Sequence, residues 1–186
     1  MAGRTEKFGR DGNGMSEAEP ARRDAAETAV LNVRAAKASD VAAVAGLDAR
    51  ITGISKPAYW QDMFERYGQR ANRFFLIADD GSDRLLGFII GEVRAWEFGS
   101  PPCGWIFALG VDPDRRLRKI GSRLFAAMCD CLAAAGVDTV RTMLARDDDL
   151  NMAFFRSQGM MGGPFIQLEM PLATLPGAAA KAGATG

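Results

Sequence analysis

The sequence predicts a mixed α/β domain, one sheet with helices on both faces. Three observations predict it. Apolar runs of strand length alternate with stretches whose apolar residues recur every three to four positions. Gly, Asp or Pro punctuates the joins between them. The chain, at 186 residues, can bury a core without disulfides or metal.

Taken in order, Leu31 to Ala35 reads as a short strand. Ser39 follows as a helix N-cap, with Val41, Val44, Leu47 and Ile51 on one helical stripe. A second helix is expected from Lys56 to Arg70, entered at Pro57. Phe74 to Ala78 is a strand, Asp80 to Asp83 a turn, and Leu85 to Trp96 the return strand of a hairpin. Gly104 to Val111 is a third long strand, ended by Asp112-Pro113. Ile120, Leu124, Met128 and Leu132 form the stripe of a helix that runs to about Ala135 and stops at Gly136. Thr139 to Leu144 is a strand, Asp149 to Gln158 a helix stopped by Gly159, and Pro164 to Met170 a closing strand.

Residues 1–29 are rich in Gly, Ala, Glu and Arg, and the last stretch, 174–186, is rich in Gly and Ala. Neither can bury enough apolar surface to offset its ordering entropy. Both are expected to be tails around a single domain at 30–173.

Lys and Arg total 23 and Asp and Glu total 23, so the formal net charge is zero. A nucleic-acid binder would show a basic excess, so that class is excluded. The histidine count is 0, which removes Ser-His and Cys-His nucleophile pairs and His-ligated metal. The cysteines, Cys103, Cys129 and Cys131, are odd in number, and no second cluster accompanies the last two. They read as reduced thiols of a cytoplasmic protein, with no metal site expected. No apolar run approaches membrane-spanning length, and the N-terminus lacks a signal-peptide core.

Neutrality conceals one local excess. Arg115, Arg116, Arg118, Lys119 and Arg123 crowd the join between the strand ending at Val111 and the helix beginning near Ile120. Free amides at a helix start, reinforced by the helix dipole, suit an anion such as a pyrophosphate. A solvated basic turn is the alternative from charge alone.

The order of elements around that join resembles the GNAT superfamily of acyl-CoA-dependent N-acyltransferases, from Leu31 to Leu172. Val111-Asp112-Pro113 followed by Arg116-Leu117-Arg118-Lys119-Ile120-Gly121 stands where that family has Val-x-Pro and then Gln/Arg-x-x-Gly-x-Gly/Ala. Arg34 with Asp40 near the start, and Phe154 to Met160 near the end, are further marks. The resemblance implies a GNAT fold, a mixed, mostly antiparallel central sheet splayed between the strands at 104–111 and 139–144. It also implies acetyl-CoA as cosubstrate, lying in that splay.

By the same resemblance, Leu109, Gly110 and Val111 would pair with the pantetheine arm. Arg116, Leu117, Arg118, Lys119, Ile120, Gly121 and Ser122 would cradle the pyrophosphate. Asp148 and Asn151 compete for a pantetheine contact at the start of the last helix, or merely supply favourable charge there. A primary amine of a small molecule or peptide would enter from the side of the first two helices and attack the thioester directly. Dimerisation is common in the family, and nothing in the sequence fixes it.

Three family positions differ. Lys119 stands at the first loop glycine, strained if that residue needs φ > 0 and a simple extra cation if it does not. Phe155 stands where many members have a tyrosine general acid. A glutamate common six residues before the strand-ending valine is Trp105 here. Glu92, with apolar neighbours in sequence, and then Glu97 are the remaining candidates for the base, though either side chain could simply face solvent. The departures at Lys119 and Phe155 leave a second reading, a degenerate domain that binds acyl-CoA or an effector without turnover.

Overall fold

A computed structural model describes residues 31–82 and 84–172. Both expected tails, and Asp83 at the end of the expected turn, lie outside the described residues. A first compact unit ends at Met143 and a second begins at Leu144.

The first unit is a five-stranded sheet in the order β1-β2-β3-β4-β5. Its strands are β1 Asn32–Ala35, β2 Arg73–Asp79, β3 Leu85–Arg94, β4 Cys103–Val111 and β5 Val140–Arg141. All neighbours are antiparallel except β4 and β5, which run parallel. Helices α1 Val41–Thr52 and α2 Pro57–Tyr67 follow β1, and α3 Ile120–Ala134 links β4 to β5. That is the fold class the sequence predicts.

Strand alternation sorts the core into two layers. Phe88 and Ile90 of β3 join Phe75 and Ile77 of β2 under α1 and α2, packed with Val44, Leu47, Trp60 and Met63. Ile89 and Ile106 are equally buried, as are Ile120, Leu124, Met128 and Leu132 of α3. Here α3 lies so close to the sheet that a Cβ on Gly91 would stand 2.9 Å from Met128 Sδ, and one on Gly104 2.5 Å from Leu132 Cδ1. Trp60 fastens the other layer. Its ring meets Phe88 edge-on at 4.9 Å, and its Nε1 donates to Asp48 Oδ2 at 3.0 Å. Lys56 Nζ, 2.9 Å from the same oxygen, neutralises that carboxylate, so its burial carries no unpaired charge.

Several boundaries move. Ser39 is not the cap of α1: Ala38–Asp40 forms a 3-10 turn, and Asp40 occupies the N-cap position. The carboxylate of Asp40 instead accepts from Lys37 N at 2.7 Å and takes a two-pronged contact from Arg34 at 2.7 and 3.0 Å. Arg34 Nε also reaches Asp79 Oδ2 at 3.0 Å, tying β1 to β2 and α1. Arg34 holds the Asp40 carboxyl below its ordinary pKa. The strand expected over 139–144 is confined to Val140–Arg141, because its pairing with β4 ends at Trp105↔Arg141 while β4 runs on beside β3.

In the second unit, α4 spans Asp149–Ser157. The strand expected at 164–170 is absent. Phe165, Ile166, Leu168 and Met170 keep their apolar character but stand 59%, 85%, 86% and 57% exposed, outside any strand. An apolar run becomes a strand only where another strand takes its hydrogen bonds.

Candidate active site

The site is built on a break in the sheet. β5 pairs with β4 only at Gly104↔Val140 and Trp105↔Arg141. From Ile106 to Val111, β4 has a partner on its β3 side and, among the described residues, none on the other.

Which backbone groups face that open edge follows from two hydrogen bonds. Gly104 N donates to Thr139 O at 2.8 Å, so the Gly104 amide faces β5. Asp112 N donates to Leu86 O at 2.8 Å, so the Asp112 amide faces β3. Residues of equal parity in a regular strand aim their amides the same way. The parity is reversed between them by a bulge, where Ile90 pairs with Ala108 and Gly91 with Ile106. Phe107 is the extra residue. Beyond it the odd-numbered amides, Leu109 and Val111, face the open edge, and Gly110 faces β3. Gly110 has a packing role instead, since a Cβ there would stand 2.5 Å from the Phe88 ring and 3.2 Å from Ile51 Cδ1.

β4 leads directly into the basic join. Asp112 is fully buried. Its Oδ1 accepts from Asp114 N at 3.2 Å, capping the 3-10 segment Pro113–Arg118, and its carbonyl accepts from Arg115 N at 2.9 Å. Its Oδ2 has no hydrogen-bond partner among the described residues. Arg50 Nη2 lies 3.5 Å and Arg84 Nη2 3.6 Å from that oxygen, and both arginine side chains are half-exposed. Lys119 then takes φ 56°, ψ 19° at the N-cap of α3, and its side chain makes no cap hydrogen bond. The first N–H groups of a helix have no intrahelical partner, so the amides of Ile120 and Gly121 and the positive end of the helix dipole point at the join. Arg116, Leu117 and Arg118 complete the 3-10 segment ahead of them.

The lysine at the family's glycine position therefore sits in the left-handed region, which costs a residue with a Cβ about 1 kcal/mol or more. Lys119→Gly is expected to stabilise the fold by about 1 kcal/mol, raising the melting temperature by about 2–4 °C. An unchanged or lowered midpoint in thermal unfolding would show that Lys119 is not strained.

The face of the sheet under α1 and α2 carries the titratable cluster. Glu92 is cross-strand neighbour to both Arg73 and Trp105. Its side chain, 14% exposed, accepts from Arg94 Nε at 3.0 Å, and Arg73 Nε lies 3.8 Å away. Its surroundings are thus charged, unlike the apolar neighbours that the sequence sets on either side of it. Strand alternation accounts for this, because those neighbours point to the opposite face. Tyr67, at the end of α2, packs its ring 5.0 Å from Phe107 and turns its hydroxyl to Glu92. Burial, and then the Glu92 charge, hold that phenol above its ordinary pKa, so it stays protonated.

The other expected residues are placed differently. Glu97 is exposed, in the 3-10 turn Glu97–Gly99 beyond the end of β3. Asp148 caps α4 through Oδ1, accepting from Asn151 N at 3.1 Å, while Asn151 Nδ2 donates to Asp148 Oδ2 at 2.7 Å. These side chains are engaged with each other. Phe155 is buried and meets Phe154 edge-on at 5.1 Å. All three cysteines are free; burial and then Asp130 push the Cys129 and Cys131 thiols up, which disfavours the thiolate.

Sequence reasoning passed over Asp112, Arg50, Arg84 and Arg94. Asp before Pro at a strand end is a cap signal that could have found the first. Arg94 lies two residues beyond Glu92, on the same face.

The acetyltransferase (GNAT) family model matches residues 42–160. The chain is 35% identical over 102 residues to a mycothiol acetyltransferase of Kocuria rhizophila, covering 53% of this chain and 34% of that protein. A mycothiol acetyltransferase of Clavibacter michiganensis subsp. michiganensis is 38% identical over 81 residues, or 44% of this chain and 24% of that one. The chain thus spans about a third or less of the curated relatives it matches. Among solved structures, aminoglycoside N-acetyltransferase AAC(6')-Iy in complex with CoA superposes with a TM-score of 0.68 at 15% identity, over 77% of this chain and 95% of that one. Aminoglycoside 6'-N-acetyltransferase AAC(6')-Ih from Acinetobacter baumannii gives 0.66 at 14% identity, over 77% and 99%. At such identities the superpositions establish the fold.

Proposed function

The chain belongs to the acetyltransferase (GNAT) family, and we propose that it transfers the acetyl group of acetyl-CoA to a primary amine of a small molecule or peptide. The observation that carries this reading is the continuous path from the open edge of β4 to the start of α3. A pantetheine arm is an extended chain of amides, and the Leu109 and Val111 backbones offer it the hydrogen bonds of a missing strand. A pyrophosphate is an anion, suited to the amides of Ile120 and Gly121 with the cations of the join around them.

The reaction proceeds by direct attack. The amine nitrogen bonds to the thioester carbonyl carbon, the C–S bond breaks, and CoA leaves as the thiolate. An amide of the open edge, Leu109 N–H, faces the carbonyl oxygen and stabilises the charge that develops there. An alkylammonium has a pKa of about 10 and must first lose a proton. Glu92 receives it through a chain of waters, since its place on β3 is three residues, or ~10 Å, from that of Ile89, the cross-strand partner of Leu109. No side chain is required to protonate the leaving group, because a thiol pKa of about 8.5 makes thiolate a tolerable leaving group. Phe155, buried and without a proton, is then a packing residue.

The test is thiol release from acetyl-CoA in the presence of a panel of primary amines, with the acetylated amine identified by mass. Release that needs both amine and protein is the expected result. Calorimetric binding of acetyl-CoA with no turnover of any amine would make the chain an acyl-CoA-binding module. Absence of binding below millimolar concentration would overturn both.

A further inference from the structure

Arg94 is a charged side chain of the acceptor face that the reaction above leaves unused. Its guanidinium lies 4.4 Å from the centroid of the Trp105 ring. Its Nε is spent on Glu92 Oε1 at 3.0 Å. Stacked on one face and pinned at one end, the group has a fixed plane. Its two terminal nitrogens have no partner among the described residues, and the side chain is 32% exposed. Arg73 approaches Glu92 from the other side, its guanidinium 5.3 Å from the Tyr67 ring centroid, and its Nη1 donates to Arg66 O at 3.3 Å. One carboxylate thus faces two guanidiniums, and the cluster keeps a net positive charge.

A planar fork held in place with its terminal donors open is the geometry that binds carboxylates with two parallel hydrogen bonds. A cluster with net positive charge also disfavours an acceptor bearing several ammonium groups. We infer that the acceptor carries a carboxylate in addition to its amine, and that Arg94 binds that carboxylate. The inference rests on the amine-acetylation reading, and it fixes a spacing. Trp105, under Arg94, pairs with Glu92 and Leu109 pairs with Ile89, so the two are three residues of β3 apart, or ~10 Å at ~3.3 Å per residue. A tripeptide spans ~10 Å when extended, so a short peptide fits where a single α-amino acid does not.

The test compares triglycine with triglycinamide, which differ only at the carboxylate. The expected result is a kcat/KM for triglycine about 10–100-fold above that of the amide, the worth of a hydrogen bond to a charged group. In Arg94→Gln the ratio should fall to near one, and Arg94→Lys should restore only part of it. Because the readout is a ratio within each variant, general damage to the site cancels. Equal rates for acid and amide in the native protein would overturn the inference, as would a preference that persists in Arg94→Gln.

Binding separates failure here from failure of the acetylation reading. N-acetyltriglycine should bind the CoA complex more tightly than its amide, in an Arg94-dependent way. If no amine turns over but this difference is present, the carboxylate subsite stands and the acetylation reading falls. If it is also absent, both fall.

Discussion

Glu92→Gln is expected to lower kcat/KM for amine acetylation by about 10²–10³-fold at pH 7, the ordinary worth of a general base. Gln is close to the carboxylate in shape and keeps an oxygen for Arg94 Nε, so the loss reports proton acceptance rather than collapse of the cluster. The pH profile makes the assignment specific. A base is needed only while the amine is protonated, so the deficit should shrink as pH rises towards about 10. Affinity for acetyl-CoA should be unchanged, because Glu92 lies on the sheet face opposite α3. A deficit that stays constant across the pH range would identify Glu92 as an anchor for Arg73 and Arg94, with no part in proton transfer.

The position of Glu92 shows how far a sequence can be read here. Many family members carry the carboxylate on the strand itself, where this chain has Trp105. Sequence alone could offer Glu92 only by elimination. The β3–β4 register supplies what was missing: Glu92 is the direct cross-strand partner of Trp105, so it stands one strand over from that position at nearly constant height. Register depends on contacts far apart in sequence and is not written in either strand's own pattern. The same limit hid the charged environment of Glu92, since Arg73 comes from β2.

Local physics was legible where one segment decides its own structure. The stripes of α1 and α3, the Pro57 entry of α2 and the hairpin of β2 and β3 all follow from periodicity and punctuation. The left-handed Lys119 was posed as one of two alternatives, and the turn into α3 takes the strained one. Features that need a partner were not legible. The apolar run at 164–170 has the composition of a strand, and composition does not provide a neighbour. The bulge at Phe107, which turns Leu109 and Val111 towards the open edge, leaves no residue-type signature in GWIFALGV.

Asp112→Ala is expected to destabilise the first unit by about 2 kcal/mol, seen as a fall of about 4–8 °C in melting temperature. Loss of the cap to Asp114 N contributes about 1 kcal/mol. The remainder comes from leaving Arg50 and Arg84 without the buried oxygen they share, a modest amount because both side chains are half in water. Asp112→Asn keeps an oxygen for the cap and removes the charge, so it should recover about half of the stability. The functional consequence follows from position. Asp112 follows the last residue of β4 and caps the segment that delivers the α3 amides, so its loss is expected to loosen the proposed pyrophosphate cradle without touching Glu92. Affinity for acetyl-CoA should therefore fall about 10-fold in Asp112→Ala, about 1.4 kcal/mol, while kcat at saturating acetyl-CoA is retained. A variant that unfolds earlier yet binds acetyl-CoA as tightly as the native protein would confine Asp112 to stability and place the shaping of the cradle elsewhere.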